Sequence, residues 1–162
     1  MVRLTRAGEY AIKAMLYLSK QPEGLTFIGD VAKSQGVSAG FLAKIFQELS
    51  RAGLVDSHRG AGGGVSLGMA ADEITVKMII EAVEGPIALN NCLLEHGYCR
   101  NRTDCPVADM WRDAQGAMVG VLERSTLAEL VAREKAKSGV SDSGDRQQGD
   151  ASGDGNGMGT GS

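Results

Sequence analysis

Three cysteines lie close together in the middle of the chain, and their type and spacing suggest chemistry more clearly than any other residues. Cys92, Cys99 and Cys105 are the three cysteines of the 162-residue sequence, spaced as Cys-x6-Cys-x5-Cys. An odd number of thiols leaves one over after disulfide pairing. A closed structural zinc site normally has four ligands, whereas an iron–sulfur cluster is held by thiolates and accepts a substitute on its last iron. The pattern therefore raises the question of whether this loop holds an iron–sulfur cluster.

Three other interpretations of the cysteines remain open at this point. In a thiol-based sensor without metal, Cys99 and Cys105 would form a regulatory disulfide. In a protein–protein adaptor, zinc would stabilise the cysteine segment. A redox enzyme has little support, because the sequence has no CxxC pair, no nucleotide-binding fingerprint and no evident acid–base pair. We therefore expect a protein that is not an enzyme.

Length and composition limit the class of protein. The 162 residues suit one domain with an accessory element, and 43% hydrophobic with only 4% aromatic residues predicts an aliphatic core. No apolar run approaches the roughly 20 residues of a membrane span. Glu9, Lys13 and Lys20 interrupt the apolar character that a signal peptide needs. We expect a cytoplasmic protein in a reducing environment, where clustered cysteines more often serve metal or redox chemistry than disulfides.

Charge is distributed unevenly along the sequence. Residues 1–65 carry eight basic and five acidic side chains, whereas residues 138–162 carry one Arg and four Asp. A basic N-terminal part is compatible with nucleic-acid binding. Eight of the last 25 residues are glycine and almost none can be buried, so residues 138–162 are predicted to be a disordered tail.

The N-terminal part predicts a pair of helices joined by a tight turn. A first helix is expected over residues 5–20 with Thr5 as its cap, and a second over 28–35, followed by a turn at Gly36. Ser38 is a good N-cap for a third helix. Its apolar stripe is formed by Phe41, Leu42, Ile45, Phe46 and Leu49. This arrangement is typical of a helix-turn-helix, with an ordinary helical hairpin as the alternative.

A short β-hairpin after the third helix favours the first alternative. Strands are predicted over 54–59 and 65–67, with a glycine-rich turn between them. The turn lacks the GxxxxGK[ST] pattern of a phosphate-binding loop, and no helix follows it. The hairpin is therefore interpreted as a wing, and residues 1–70 as a winged helix-turn-helix DNA-binding domain.

Residues 71–137 are predicted to hold a fourth helix capped by Thr75, the cysteine loop and a longer helix from Pro106 to about Arg124. Thr126 and Glu129 form a capping box for a short last helix. The apolar stripe of the long helix packs either on its own domain or, as we prefer, on the same helix of a second subunit. The expected fold is mainly α with a small β-wing, as a winged helix-turn-helix plus a long dimerisation helix. The stripe consists of Val107, Met110, Trp111, Ala114, Met118, Val121 and Leu122.

Several short motifs follow one another in a fixed order over residues 1 to about 135. Together with the three cysteines they resemble the bacterial iron–sulfur transcription regulators of the IscR, NsrR and RirA type. The motifs are Arg3-Leu4-Thr5, Gly8-Glu9-Tyr10-Ala11, Val37-Ser38, Phe41-Leu42, Lys44-Ile45, Ala52-Gly53-Leu54-Val55, Arg59-Gly60, Gly62-Gly63-Gly64, Glu81-Ala82-Val83-Glu84-Gly85 and Trp111-Arg112.

The resemblance implies a homodimeric transcriptional regulator, in most such proteins a repressor, that binds a near-palindromic double-stranded operator. Its third helix would enter the major groove and its wing the flanking minor groove, where Arg59 suits a narrow groove. Because the start of the helix has small side chains, base recognition would depend on Gln47, the wing and DNA shape. The implied DNA-binding residues are Ser38, Ala39, Gly40, Lys44, Gln47, His58, Arg59 and Gly60.

The resemblance also implies that Cys92, Cys99 and Cys105 hold a cluster, whose loss through nitric oxide, oxygen or iron shortage changes DNA binding. The sequence departs from the IscR pattern at the fourth ligand. IscR-like members have a His three residues after the last cysteine, and here that position is Ala108. Nitric-oxide-sensing members use a carboxylate on the first helix of the other subunit, which corresponds to Glu9. Glu9 is therefore the first candidate for the fourth ligand and His96 the second.

Overall fold

The computed structural model describes residues 4–21, 24–60, 63–93 and 105–141. Over these ranges the chain forms six α-helices, a two-stranded sheet and one short 3-10 helix, so the mainly helical fold with a small β-wing is confirmed. The elements are α1 (Arg6–Ser19), α2 (Ile28–Gln35), α3 (Ala39–Arg51), β1 (Val55–His58), β2 (Gly64–Leu67), α4 (Val76–Glu84), the 3-10 helix (Asn91–Leu93), α5 (Pro106–Arg124) and α6 (Leu127–Ser141).

Hydroxyl side chains fix where four of the helices begin. Each accepts a hydrogen bond from a backbone N–H in the first turn, which would otherwise lack a partner. All four caps were predicted from the sequence and are confirmed. The bonds run from Gly8 N to Thr5 (3.3 Å), Phe41 N to Ser38 (3.2 Å), Met78 N to Thr75 (3.2 Å) and Glu129 N to Thr126 (3.2 Å).

The core is shared by α1, α2, α3, α4, the wing and the start of α6. Phe46, Met15 and Leu42 are among its largest fully buried side chains. Ile79 of α4 and Leu127 of α6 belong to the same cluster. The core of the N-terminal helices therefore continues past residue 70 into the segments that follow the wing.

The wing is an antiparallel hairpin whose base is held by the segment before α2. Val55 pairs with Leu67 and His58 with Gly64. Thr26 and Val65 exchange two backbone hydrogen bonds of 2.9 and 2.8 Å. These bonds anchor the hairpin to the helical core. Residues 61 and 62, at the tip, lie outside the described residues.

Helix α6 returns the chain to the N-terminal part of the fold. Leu127 N donates to Ile74 O (3.0 Å), and Val76 N donates to Ser125 O (2.9 Å). Lys20, which caps the C-terminal end of α1, pairs with Glu134 at 3.0 Å. Because α6 packs along α1, it runs to Ser141 and is longer than the short last helix expected from the sequence. Residues 142–162, the rest of the predicted tail, lie outside the described residues.

Some apolar residues of α5 face α1 and α4, and others face solvent. Met118 and Leu122 line a cavity of about 420 Å³ together with residues of α1 and α4. Val107, Met110 and Val121 are 57%, 52% and 54% exposed. Within the described residues of one chain, this apolar face of α5 is therefore uncovered.

An ion pair also joins α4 to α5. Lys77 donates to Glu123 at 2.6 Å, and this hydrogen bond raises the pKa of the Lys77 ammonium above its ordinary value. Among the described helices, none combines the length and the hydropathy that crossing a bilayer requires.

Candidate nucleic-acid interface and metal centre

The solvent-facing side of α3 is the first part of the candidate interface. Leu42, Ile45, Phe46 and Leu49 are buried, so the positions between them must face outward. The structure places every residue of the predicted DNA-binding set at the exposed surface. These are Ser38, Ala39 and Gly40 at the start of α3, Lys44 and Gln47 on its outer face, and His58, Arg59 and Gly60 at the wing.

Ser38 has a structural role in this surface as well as a possible contact role. Its hydroxyl oxygen accepts the hydrogen bond from Phe41 N that caps α3. The hydroxyl proton remains available to donate, for example to a phosphate oxygen. Ser38 therefore both starts the helix and presents a donor at its exposed end.

A shallow depression brings three of the predicted residues together. It has a volume of about 270 Å³, and Lys44 and Gln47 from α3 and Arg59 from the wing all line it. Two cations and an amide along one groove suit a DNA strand, because Lys and Arg neutralise phosphates and Gln can read a base edge. The other lining residues are Ile28, Ala43, Phe46 and Ser57.

Ala43 belongs to this exposed face but is absent from the predicted set. It lies three residues after Gly40 and four before Gln47, which is the spacing of one helix face. Periodicity alone could have identified it. Its methyl group can contact the methyl group of a thymine.

The wing turn depends on glycine. Gly60 has φ of 119°, a conformation that side chains with a Cβ rarely adopt, and Gly63 N donates to Gly60 O at 2.9 Å. This turn directly follows Arg59, so it keeps the guanidinium group at the projecting end of the hairpin.

The two described cysteines flank the segment that lies between the 3-10 helix and α5. Cys92 is in the 3-10 helix and Cys105 immediately precedes α5. Both are half-buried free thiols. Cys105 stands at the N-cap position, yet its side chain makes no capping bond; its carbonyl accepts from Ala108 N at 2.9 Å. Both sulfur atoms are thus available as ligands, which fits thiolate ligation of a cluster.

The other predicted ligands are placed as follows. Cys99 and His96 lie outside the described residues. Glu9 is exposed in the first turn of α1, and no described residue bonds its carboxylate. In the described ranges no three His, Cys, Asp or Glu side chains form a metal-binding group.

Ala108 fills the position at which IscR-like sequences have a ligating His. It is 2% exposed and packs into the protein. The next carboxylate, Asp109, pairs with Arg112 at 2.5 Å on the surface of α5. The first turn of α5 therefore presents a buried methyl group at position 108 and a surface carboxylate that is paired with Arg112.

Glu84 is a residue whose role the sequence did not reveal. Its Oε1 accepts hydrogen bonds from Thr5 N at 2.9 Å and from the Thr5 hydroxyl at 2.8 Å. A Cβ on Gly8 would collide with the same oxygen, so only glycine allows this approach. The contact joins the N-terminal end of α1 to the C-terminal end of α4. Glu9 is in the first turn of α1, and the segment containing Cys92 follows α4 in the sequence.

Comparison with protein families identifies one matching profile. Residues 4–133 match the Rrf2 family, described as an iron-dependent transcriptional regulator. The HTH-type transcriptional regulator IscR of Aliivibrio salmonicida is 37% identical over 131 residues, which cover 80% of this chain and 77% of the relative.

Solved structures give a consistent result. CymR, described as the global cysteine regulator of B. subtilis, is 32% identical and superimposes with a TM-score of 0.69, covering 82% of this chain and 98% of CymR. T. potens IscR is 25% identical with a TM-score of 0.64, covering 93% of this chain and 94% of its own. The winged-helix architecture is therefore shared over most of the sequence.

Proposed function

Because this chain belongs to the Rrf2 family of iron-dependent transcriptional regulators, we propose that it senses cellular iron–sulfur status, nitric oxide or redox state through a cluster on Cys92, Cys99 and Cys105. The chain is a DNA-binding transcriptional regulator and not an enzyme. The relatives to which it is similar are HTH-type transcriptional regulators named IscR. We further propose that it acts in the cytoplasm as a repressor.

The observation that carries the cluster proposal is the pair of free, half-buried thiols at Cys92 and Cys105. They flank the segment that contains Cys99, and neither is used in a disulfide or a helix cap. Three thiolates and one oxygen ligand suit a [4Fe-4S] cluster with a labile iron or a [2Fe-2S] cluster of mixed ligation. When bound, such a cluster supplies a centre that nitric oxide, oxygen or iron shortage can degrade.

We propose Glu9 of a second subunit as the fourth ligand, with His96 as the alternative. Glu9 is supported by its exposure and by the lack of a described partner for its carboxylate. Ala108 supplies no ligand, and Asp109 is held by Arg112. A carboxylate donated across the dimer would couple cluster occupancy to the arrangement of the two subunits.

The proposed DNA complex is a homodimer on a near-palindromic operator, with two α3 helices in successive major grooves and the wings in flanking minor grooves. The uncovered apolar face of α5 supports pairing of the two subunits along this helix. A change in subunit arrangement that alters the operator affinity by about 1–3 kcal/mol corresponds to a 5–150-fold change in binding.

Anaerobic reconstitution of the purified protein with iron and sulfide tests the cluster proposal. We expect visible charge-transfer absorption from the parent protein and its loss in Cys92→Ala and Cys105→Ala. The exposed Ser57→Ala, away from the cysteines, serves as a control that should keep the absorption. Retention of the spectrum in Cys92→Ala would contradict the ligand assignment.

The same preparation separates the alternative functions. Operator binding by protein that contains neither iron nor sulfide, with a response to thiol oxidation, would favour a thiol-based regulator using Cys99 and Cys105. Bound zinc together with no DNA binding would favour the adaptor.

A further inference from the structure

One face of α1 carries two positively charged side chains on either side of an aromatic ring. The Arg6 guanidinium carbon lies 5.7 Å from the centre of the Tyr10 ring, and Lys13 Nζ lies 5.1 Å from it. Both cations are exposed. Cation–π attraction of this kind limits the freedom of the two side chains without removing them from solvent.

The Tyr10 ring also connects this face to the recognition helix. Tyr10 and Phe41 form an edge-to-face pair with ring centres 5.8 Å apart and an interplanar angle of 89°. Phe41 is in the first turn of α3, where its backbone N–H is bonded to Ser38. The cations of α1 are therefore next to the exposed start of α3.

The charges of Arg6 and Lys13 are not neutralised by described carboxylates. Other described basic side chains form ion pairs within the chain, among them Lys20, Arg51, Lys77, Arg112 and Arg133. Arg6 and Lys13 form none with any described residue, and in this they resemble Lys44 and Arg59 of the candidate interface. Charges that are exposed, restrained and unpaired suit an anionic partner.

We propose that Arg6 and Lys13 bind phosphates of the DNA backbone beside the groove that α3 enters. The inference rests on the proposed DNA interface and extends it from α3 and the wing to α1. Backbone contacts carry no sequence information, but they hold the protein in register on the duplex. Because the Tyr10–Phe41 pair joins α1 to α3, the position of α3 along the DNA would depend on the position of α1 relative to α3.

Salt dependence measures such contacts directly. Each phosphate that a cation neutralises steepens the dependence of log K on log salt by about 0.9 for B-form DNA. In the proposed homodimer the double substitution removes four such contacts, two from each subunit, so the slope is expected to fall by about 3.6 for any DNA sequence.

The test compares Arg6→Gln/Lys13→Gln with a charge-matched control, Arg133→Gln/Lys135→Gln on α6. Fluorescence anisotropy over a range of salt concentrations would use a labelled duplex of random sequence, about 30 base pairs long to span two half-sites. The α1 double variant should show the lower slope, and the α6 double variant should keep the parent slope. Circular dichroism confirms that each variant remains folded.

A third double variant, Lys44→Gln/Arg59→Gln, separates failure of this inference from failure of the proposed interface. If the α1 double variant keeps the parent slope while Lys44→Gln/Arg59→Gln lowers it, the inference about α1 is wrong but the proposed interface stands. If both the α1 double variant and Lys44→Gln/Arg59→Gln keep the salt slope of the parent protein, the proposed interface is wrong. Equal reductions in the α1 and α6 variants would show an effect of net charge only, and would also overturn the inference.

Discussion

Lys44 and Gln47 line the same depression, but their chemistry suits different parts of DNA. Gln47→Ala is expected to cost about 1–3 kcal/mol on an operator and to relax discrimination at one base position, because an amide can pair with a base edge. Lys44→Gln should weaken binding to all sequences similarly and lower the salt slope by about 1.8, which is about 0.9 for each of the two subunits. Binding to the operator and to a set of single-base variants of it measures both effects.

The exposed Lys135 of α6 provides a comparison for this pair. Lys135→Gln should leave both the salt slope and the base discrimination at parent values. A Gln47→Ala variant that discriminates bases as the parent does would show that recognition relies on the wing and on DNA shape.

Glu9 offers an unpaired carboxylate on the first turn of α1. Glu9→Gln is expected to retain the three-thiolate site but to lose iron to a chelator about 10–100-fold faster, because a neutral amide is a poorer ligand than a carboxylate. The decay of visible absorption under anaerobic conditions measures the rate.

Asp72→Asn removes an exposed carboxylate elsewhere and should leave this rate unchanged. If Glu9→Gln and the parent lose iron at equal rates, Glu9 is not the fourth ligand and His96 becomes the candidate. His96→Ala should then accelerate the loss of iron.

Among the secondary-structure elements, the contact between α1 and α4 requires glycine at position 8. Gly8→Ala would push its Cβ against Glu84 Oε1 and break the bonds to Thr5. Loss of the bonds to the carboxylate costs about 1.5–3 kcal/mol and the helix preference of Ala offsets about 1 kcal/mol, so we expect a net loss of about 0.5–2 kcal/mol in the free energy of unfolding. In a Glu84→Ala background the same change should be nearly neutral or stabilising, because Ala favours a helix over Gly by about 1 kcal/mol. Urea unfolding at constant protein concentration measures this double-mutant cycle.

Gly29→Ala in α2 is the matched control, since a Cβ there meets nothing within 4 Å. It should stabilise the protein slightly in either background. Additive effects of Gly8→Ala and Glu84→Ala would rule out the proposed conflict between the Cβ and the carboxylate.

Helix starts could be predicted from the sequence because they depend on local hydrogen bonds. Ser38 and Thr75 cap the helices expected of them, since each bond joins residues three positions apart. The bond from Thr5 to Glu84 joins residues 79 positions apart. No local sequence pattern predicts a partner at this separation, so the sequence does not reveal the role of Glu84.

The candidate site shows the same difference between local and long-range information. The exposed face of α3 followed from its period, and the structure adds that Lys44, Gln47 and Arg59 share one depression. Burial of Ala108 supports the expectation that this position cannot supply a ligand. The extent of α6 was underestimated, because its length depends on packing against α1 and on the pair between Lys20 and Glu134.

For the whole molecule, the uncovered face of α5 carries a prediction about assembly. Val121→Glu is expected to convert the proposed dimer largely to monomer, because a carboxylate would be buried in an apolar interface. The dissociation constant of the dimer should rise by at least about 100-fold, equivalent to about 3 kcal/mol. Size-exclusion chromatography with light scattering measures the mass, and operator affinity should fall in parallel.

Met69→Glu places the same charge on an exposed apolar residue near the wing, away from α5. It should leave the mass unchanged. Val121→Glu protein with the same mass as the parent would contradict assembly through this face.

The position of Leu127 in the core has a consequence for the order of protein synthesis. Leu127 has 0% exposure and packs with residues of α1 to α4, although the ribosome translates it after all three cysteines. At about 5–20 residues per second, the nascent chain waits several seconds between making the wing and receiving this last core residue. A product truncated before α6 would expose its core and become a substrate for proteases. The order of elements thus disfavours a surviving fragment that keeps the winged helix but lacks the cysteines.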